Sequence, residues 1–146
     1  MAADNTNFDK ANRFIARMMR HAGEKQSLMQ EFAVLSGSDI IENFRIGGQP
    51  TRWKPSHRAE YEGGQTLVDT SQLMKSAATP QVQGDTIILG SDLPYAAVHQ
   101  YGIDKEVKTK NGSRRMRIDA RPYLVFSNNF LKTAERIGSR WLLEGA

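Results

Sequence analysis

Residues 90–123 read GSDLPYAAVHQYGIDKEVKTKNGSRRMRIDARPY, and this stretch decides how the second half of the chain folds. Pro94 favours the first turn of a short helix over residues 95–101, and Gly102 is typical of a helix end. The runs EVKTK and RRMRI flank Asn111-Gly112, a strong hairpin signal, so we expect an antiparallel hairpin that turns at these two residues. Because proline cannot continue a hydrogen-bond ladder, Arg121-Pro122 ends the second strand, and we expect a closing helix to begin there.

The hairpin is strongly basic. Asp104, Glu106 and Asp119 partly offset its positive charge. Three interpretations of the hairpin stay open. It is a solvated edge hairpin whose charges protect it from aggregation, an arm that contacts an acidic protein, or a nucleic-acid contact. The hairpin lacks interleaved aromatic residues, which disfavours base stacking on single strands. The cations that we expect to form the interface are Lys105, Lys108, Lys110, Arg114, Arg115 and Arg117.

The first half of the chain has helical and irregular parts. Apolar residues recur every three or four positions from residue 6 to about 43, which predicts a helix in two pieces that meet at Gly23, with Asp4 or Thr6 as its cap and Gly37 as an interruption of the second piece. Residues 45–64 contain four glycines and two prolines, which predicts a long loop. Trp53 and Tyr61 in that loop either fix it to the body of the protein or await a partner.

Further elements follow the loop. The sequence predicts a short helix over residues 71–77, capped by Asp69 or Thr70, a hairpin around Gly84-Asp85, and an amphipathic helix over residues 123 to about 143. The fold class is therefore α+β: an N-terminal helical region, a small antiparallel sheet with a projecting basic hairpin, and a C-terminal amphipathic helix. We expect a single domain with a helical region at 1–43, a loop at 44–65 and an α+β body at 66–146.

Composition excludes several classes of function. The chain has 146 residues, no cysteine and a net charge of +4, which indicates mild attraction to polyanions and no disulfide or thiol chemistry. No run of about 18 apolar residues is present, so we expect no membrane span.

No catalytic or cofactor constellation stands out. His21, His57 and His99 do not match metal-ligand spacings, and there is no G-x-S-x-G nucleophile motif. The glycine pairs at 47–48 and 63–64 do not continue into a phosphate-binding loop. We therefore expect no enzyme, no metal and no cofactor, and we interpret His99 as a hydrogen-bonded structural histidine.

Four segments in order resemble the phage virion morphogenesis family, which includes the tail completion proteins of long-tailed phages. They are IGGQPTRWKP at 46–55, TLVDTSQLMKSA at 66–77, ILGSDLPYAAVHQYG at 88–102 and IDARPYL at 118–124. Ser71 stands where the family usually has glycine, and Asp119-Ala120 stands where a proline is common. The positions that match the family pattern, and that we expect to form its scaffold, are Trp53, Asp69, Thr70, Leu73, Tyr95, Ala96, His99, Gln100, Gly102, Arg121, Pro122 and Tyr123.

The resemblance implies a structural virion protein that acts late in tail assembly. Such a protein belongs to the head-proximal neck of the tail and enables head-tail joining after assembly in the host bacterial cytoplasm. The expected partners are further copies of the chain in a ring, expected to be hexameric, and the tail terminator, tail tube or head connector proteins, with passing contact to channel DNA and none to a membrane. The alternative is a nucleic-acid-binding module that uses the basic hairpin 105–117.

Under this resemblance the short helix around Tyr95 has a physical role. We expect Tyr95, Ala96, Val98 and Tyr101 to pack on the sheet, with the small alanines allowing close approach, and Tyr123 to enter the core.

Overall fold

A computed structural model describes residues 12, 13, 16, 20, 21 and 23–143 of the chain. From residue 25 onward its helices are α1 (Lys25–Ile46), α2 (His57–Tyr61), α3 (Gln72–Ala77), α4 (Ala96–Tyr101) and α5 (Asn128–Leu143). Its strands are β1 (Gln81–Gln83), β2 (Thr86–Ile88), β3 (Ile103–Thr109) and β4 (Gly112–Ile118). The predicted α+β class is confirmed. The strands form two separate antiparallel pairs, β1 with β2 and β3 with β4, where the sequence predicted one small sheet.

Helix α1 is the long element against which the rest of the body packs. Its buried face repeats every three or four residues, at Ala33, Ser36, Gly37, Ile40, Asn43 and Phe44. The predicted interruption at Gly37 is wrong, because the helix continues for 22 residues. A Cβ atom at Gly37 would lie 2.6 Å from the carbonyl oxygen of Ala78, so this glycine lets the end of α3 approach the helix. The expected caps at Asp4 and Thr6 lie outside the described residues.

The core lies between α1, α3, α4 and the segment that contains Tyr123. Its buried members are Ile40, Phe44, Trp53, Leu73, Ala77, Ala96 and Tyr123. Helix α5 packs along α1 with Ile137 buried, and Arg140 approaches Glu31 of α1 to 3.6 Å. The first half of the chain thus supplies a helical platform, and the family-like segments close over it.

The loop predicted at 45–64 is shorter and more ordered than expected. Helix α1 extends to Ile46 and ends at Gly47, and α2 forms inside the predicted loop, with the Ser56 hydroxyl capping it through the backbone N–H of Ala59. The two aromatic residues of the predicted loop differ in their burial. Trp53 is buried against the core, whereas Tyr61 remains 70% exposed.

Both predicted hairpins form, but the basic one turns one residue earlier than predicted. Thr109 pairs with Gly112, so the two turn residues are Lys110 and Asn111, and Gly112 begins β4. The positive φ angle that this turn requires, +126°, lies at Gly112. The prediction of Asn111-Gly112 as the turn is therefore wrong by one position.

Two predicted helix starts are also wrong. The last helix begins at Asn128 instead of at Pro122, and the Ser127 hydroxyl accepts a hydrogen bond from the backbone N–H of Phe130 at 2.9 Å, as an N-cap does. Helix α3 follows Ser71, which has a positive φ angle of 61° and makes no side-chain cap hydrogen bond. Asp69 and Thr70 therefore do not cap this helix.

Candidate functional site

Arg121 joins three distant parts of the chain. Its guanidinium donates from Nε to the carbonyl oxygen of Lys54 at 2.9 Å and from Nη2 to that of Pro55 at 3.2 Å. Its backbone N–H donates to the carbonyl oxygen of His99 at 2.7 Å. A single buried side chain therefore fixes the 53–55 segment to the segment after β4, while the backbone of the same residue holds the end of α4.

Tyr123 is the centre of a second set of hydrogen bonds. Its hydroxyl donates to the carbonyl oxygen of Ala96 at 3.2 Å, and its backbone N–H donates to the Gln100 side-chain oxygen at 3.0 Å. The Asn43 side chain donates to the carbonyl oxygen of Tyr123 at 2.9 Å. Burial raises the pKa of the Tyr123 phenol, so the group is neutral at physiological pH.

Trp53 packs its ring against Phe44 with the centroids 5.6 Å apart and the planes nearly perpendicular. Its indole Nε1 donates to the carbonyl oxygen of Pro122 at 3.1 Å. The structure thus brings Trp53, Arg121, Pro122 and Tyr123 together.

Gly102 links α4 to the hairpin where the backbone passes very close to β4. A Cβ atom at this position would lie 2.8 Å from both the backbone nitrogen of Ala120 and the carbonyl oxygen of Ile118. Its φ of 73° and ψ of 175° are accessible almost only to glycine.

The expected packing of α4 on a sheet is only partly correct. Ala96 is buried and Val98, His99 and Gln100 are half-buried, and Ala96 and Gln100 accept hydrogen bonds from Tyr123. Tyr101 is 79% exposed and Tyr95 is 40% exposed, so these two rings lie at the surface. The two tyrosines are therefore available for contacts, which the sequence pattern did not predict.

A polar pocket of about 420 Å³ lies beside Arg121 and contains several of the scaffold residues. The expected hydrogen bond of the His99 side chain is absent: its Nδ1 atom is buried and has no partner among the described residues. Burial, and then the neighbouring charge of Arg121, lower the pKa of His99, which keeps the ring neutral. The scaffold residues that line the pocket are Asp69, Thr70, Leu73, Tyr95, His99 and Arg121.

The basic hairpin has two chemically different faces. Because side chains alternate along a strand, Val107 and Met116 share one face with Lys105 and Arg114, and both apolar side chains are half-buried. On the other face Arg115 makes a bidentate hydrogen-bonded ion pair with Asp104, at 2.7 and 2.8 Å. This pairing lowers the pKa of Asp104 and raises that of Arg115.

Most of the hairpin cations remain without a partner. Arg115 is paired with Asp104, and Arg117 lies 3.7 Å from Asp119. Within the described part of the chain, the other four cations make no ion pair or hydrogen bond through their side chains: Lys105, Lys108, Lys110 and Arg114. Residues 103–118 carry six cations and two carboxylates, a net charge of +4 that equals the net charge of the whole chain. The positive charge is therefore concentrated on the hairpin.

Sequence reasoning missed several polar residues that hold the scaffold together. Asp39 binds Ser127, and Gln65 donates from its side chain to the carbonyl oxygens of Phe44 and Arg45. Asn43 carried a usable signal, since it lies three positions after Ile40 on the inward face of α1. Gln65 and Asp39 carried none, because Gln65 lies in the predicted loop and Asp39 is not part of the buried repeat of α1.

Within the part of the chain that the structure describes, no three histidine or carboxylate side chains cluster as metal ligands do. Over the same residues, no helix is both long enough and apolar enough to cross a bilayer.

The structure is therefore a hydrogen-bonded scaffold that carries a cationic two-stranded arm. The model of the phage virion morphogenesis family matches residues 6–142, and the chain belongs to this family. It is also 34% identical over 113 residues to the Mu-like prophage FluMu G protein 2 of Haemophilus influenzae. The aligned region covers 77% of this chain and 75% of the relative. No solved structure is significantly similar. The protein therefore has a structural role in phage virion morphogenesis.

Proposed function

We propose that the chain is a tail completion protein that acts at the head-proximal end of the tail and enables the tail to join the head. The observation that carries this proposal is the family match over residues 6–142. The similarity to the G protein of a Mu-like prophage supports it, because the related region covers three quarters of that relative.

In this proposal the chain assembles into a ring, expected to be hexameric, through its basic hairpin. Strands β3 and β4 of seven residues each project by roughly 20 Å, since a strand rises about 3.3 Å per residue. Exposed carboxylates on the body, Glu60 and Glu62 near the end of α2, make no ion pair within residues 23–143 and suit a basic arm from the next copy. Head-to-tail contacts of this kind close into a ring when each arm meets the next body.

The charges and the apolar side chains of the arm have different roles. Exposed ion pairs contribute only about 0–1 kcal/mol each, so charge selects and orients the neighbour. Covering the half-buried side chains of Val107 and Met116 contributes more, up to roughly 1.5–3 kcal/mol for a complete burial of each. The ring would then stack on the tail terminator, tail tube or head connector proteins.

Deletion of the gene from the phage genome tests the proposal. Negative-stain electron microscopy of the lysate should show filled heads and full-length tails that are not joined, and supplying the wild-type gene in trans should restore complete virions. Normal head-tail joining without the protein would overturn the proposal. Native mass spectrometry of the purified protein, which should show a closed oligomer, tests the ring separately.

Nucleic-acid binding is the second candidate, and the four unpartnered cations of the hairpin favour it. It predicts tight binding of duplex DNA by the isolated protein, with an affinity that falls steeply as salt rises. A mobility-shift series from 50 to 300 mM salt distinguishes the two: weak binding that shows no steep dependence on salt supports the assembly function.

A further inference from the structure

The pocket beside Arg121 contains a buried cation that has no anionic partner among the described residues. Arg121 is only 7% exposed, and its guanidinium donates to three backbone carbonyl oxygens, those of Lys54, Pro55 and Asp119. None of the carboxylates in the described residues pairs with it; that of Asp119 pairs with Lys54 at 3.3 Å and approaches Arg117. Removing a charge from water is costly unless an opposite charge compensates it, so this site is electrostatically incomplete.

We propose that this pocket binds a carboxylate group from an acidic peptide segment of a neighbouring virion protein. A guanidinium has five N–H donors in a planar fork, and the three carbonyl contacts leave two of them. A carboxylate can accept both in a bidentate arrangement, which is the geometry that arginine favours.

The other groups of the pocket agree with a single negative charge. Arg58 lies at its wall, held by the carbonyl oxygens of Gln65 and Val68, and Asp69 lies 3.8 Å from Arg58. With His99 neutral, two arginines and one aspartate give the wall a net charge of +1. A ligand with one negative charge neutralises the net charge of the side chains that line the pocket. A phosphate dianion would leave an excess negative charge there, next to the carboxylate of Asp69.

The rings of His99 and Tyr95 complete the pocket lining. The Nδ1 atom of His99 is buried without a partner in the described structure, and the imidazole ring lies where it can sense the charge of a bound carboxylate. The rings of Tyr95 and His99 meet edge to face with centroids 5.9 Å apart, and Tyr95 leaves part of its surface at the pocket. The volume of about 420 Å³ accommodates the side chain of a glutamate with its adjoining backbone.

The inference deepens the proposed function by naming the chemistry of one contact, and it rests on that function only for the source of the carboxylate. The binding site itself is testable on the isolated protein. Failure of head-tail joining experiments and failure of carboxylate binding are therefore separate results.

The experiment is a titration followed by NMR of the His99 imidazole and the Arg121 Nε–H group at constant ionic strength. The probe is N-acetyl-glutamate N-methylamide, and the matched control is N-acetyl-glutamine N-methylamide, which has nearly the same shape and no charge. We expect saturable shifts with a millimolar dissociation constant for the glutamate probe, at least tenfold weaker binding of the glutamine control, and a rise in the pKa of His99 when the glutamate probe binds.

Two variants and two further ligands sharpen the test. Arg121→Lys, which keeps the charge and loses the planar fork of donors, should weaken binding at least tenfold, whereas Lys132→Gln, at an exposed position of α5 that does not line the pocket, should not change it. If Arg121→Lys does not fold, the wild-type titration still decides. Equal binding of the glutamine control, or tighter binding of inorganic phosphate or of duplex DNA at this site, would overturn the proposal.

Discussion

The carboxylate of Asp39 accepts two hydrogen bonds from Ser127, one from its backbone N–H at 2.8 Å and one from its hydroxyl at 2.5 Å. The two residues are 88 positions apart in the chain. Because the Ser127 hydroxyl also accepts from the backbone N–H of Phe130, Asp39 of α1 orients the cap of α5. This relationship fixes where the last helix begins and how it lies on the first.

Removing the carboxylate should loosen this junction. We expect Asp39→Ala to lower the free energy of unfolding by about 1–3 kcal/mol, since it leaves two donors of Ser127 without their charged acceptor. Asp39→Asn keeps one oxygen acceptor and should cost less. Urea unfolding followed by circular dichroism measures both, with Asp92→Asn at an exposed site as the control. An Asp39→Ala protein as stable as the control would show that the cap does not depend on this contact.

Gly102 provides a second test, which separates close packing from general glycine effects. Gly102→Ala should destabilise the protein by on the order of 3 kcal/mol, because the new methyl group would lie 2.8 Å from backbone atoms of Ile118 and Ala120 and the φ angle is unfavourable. Gly90→Ala is the matched control, since a Cβ there meets no atom of the described residues within 4 Å and φ is not positive. Thermal unfolding of both variants checks this prediction; similar melting temperatures would contradict it.

Local signals in the sequence predicted the elements well and their boundaries less well. Gly102 ended α4 as predicted, and the glycine of the Asn111-Gly112 pair carried the positive φ angle, although the turn itself lay one residue earlier. These features depend on residues next to one another in sequence. The start of α5 at Asn128 did not follow from Pro122, because it depends on a capping contact with α1 that no local pattern contains.

Several positions of the family pattern meet in the fold although they are far apart in the sequence. Trp53 and Pro122 are 69 positions apart, yet the indole of one donates to the carbonyl of the other. His99 was expected to be hydrogen bonded, and its side-chain nitrogen is instead buried beside Arg121 without a partner among the described residues. Such pairings arise from tertiary packing, which spacing along one chain does not encode.

The basic hairpin should be dispensable for folding and required for assembly. Neutralising its four unpartnered cations to glutamine should leave the melting temperature unchanged, because all four are exposed, and should abolish joined virions in electron micrographs. The control removes the same total charge from exposed sites elsewhere, at Arg20, Lys75, Lys132 and Arg136. Loss of joining in both quadruple variants, or in neither, would show that the hairpin has no specific role.

The free energy of unfolding should depend on pH through His99. Its pKa is lowered in the folded protein, mainly by burial and then by Arg121, whereas in the unfolded chain it returns to about 6.5. Below pH 6.5 the unfolded state therefore binds more protons than the folded state, and stability falls as the pH falls until the folded-state pKa is passed. His99→Gln removes this contribution, so its loss of stability between pH 7.5 and 5.5 should be smaller than that of the wild type. Urea unfolding at several pH values within this window measures the difference in stability between the two proteins. The pKa values of Glu42 and Asp104 are also lowered, but these carboxylates change protonation only at more acidic pH and do not affect the comparison. A constant difference between the two proteins across the window would mean that His99 does not become protonated on unfolding.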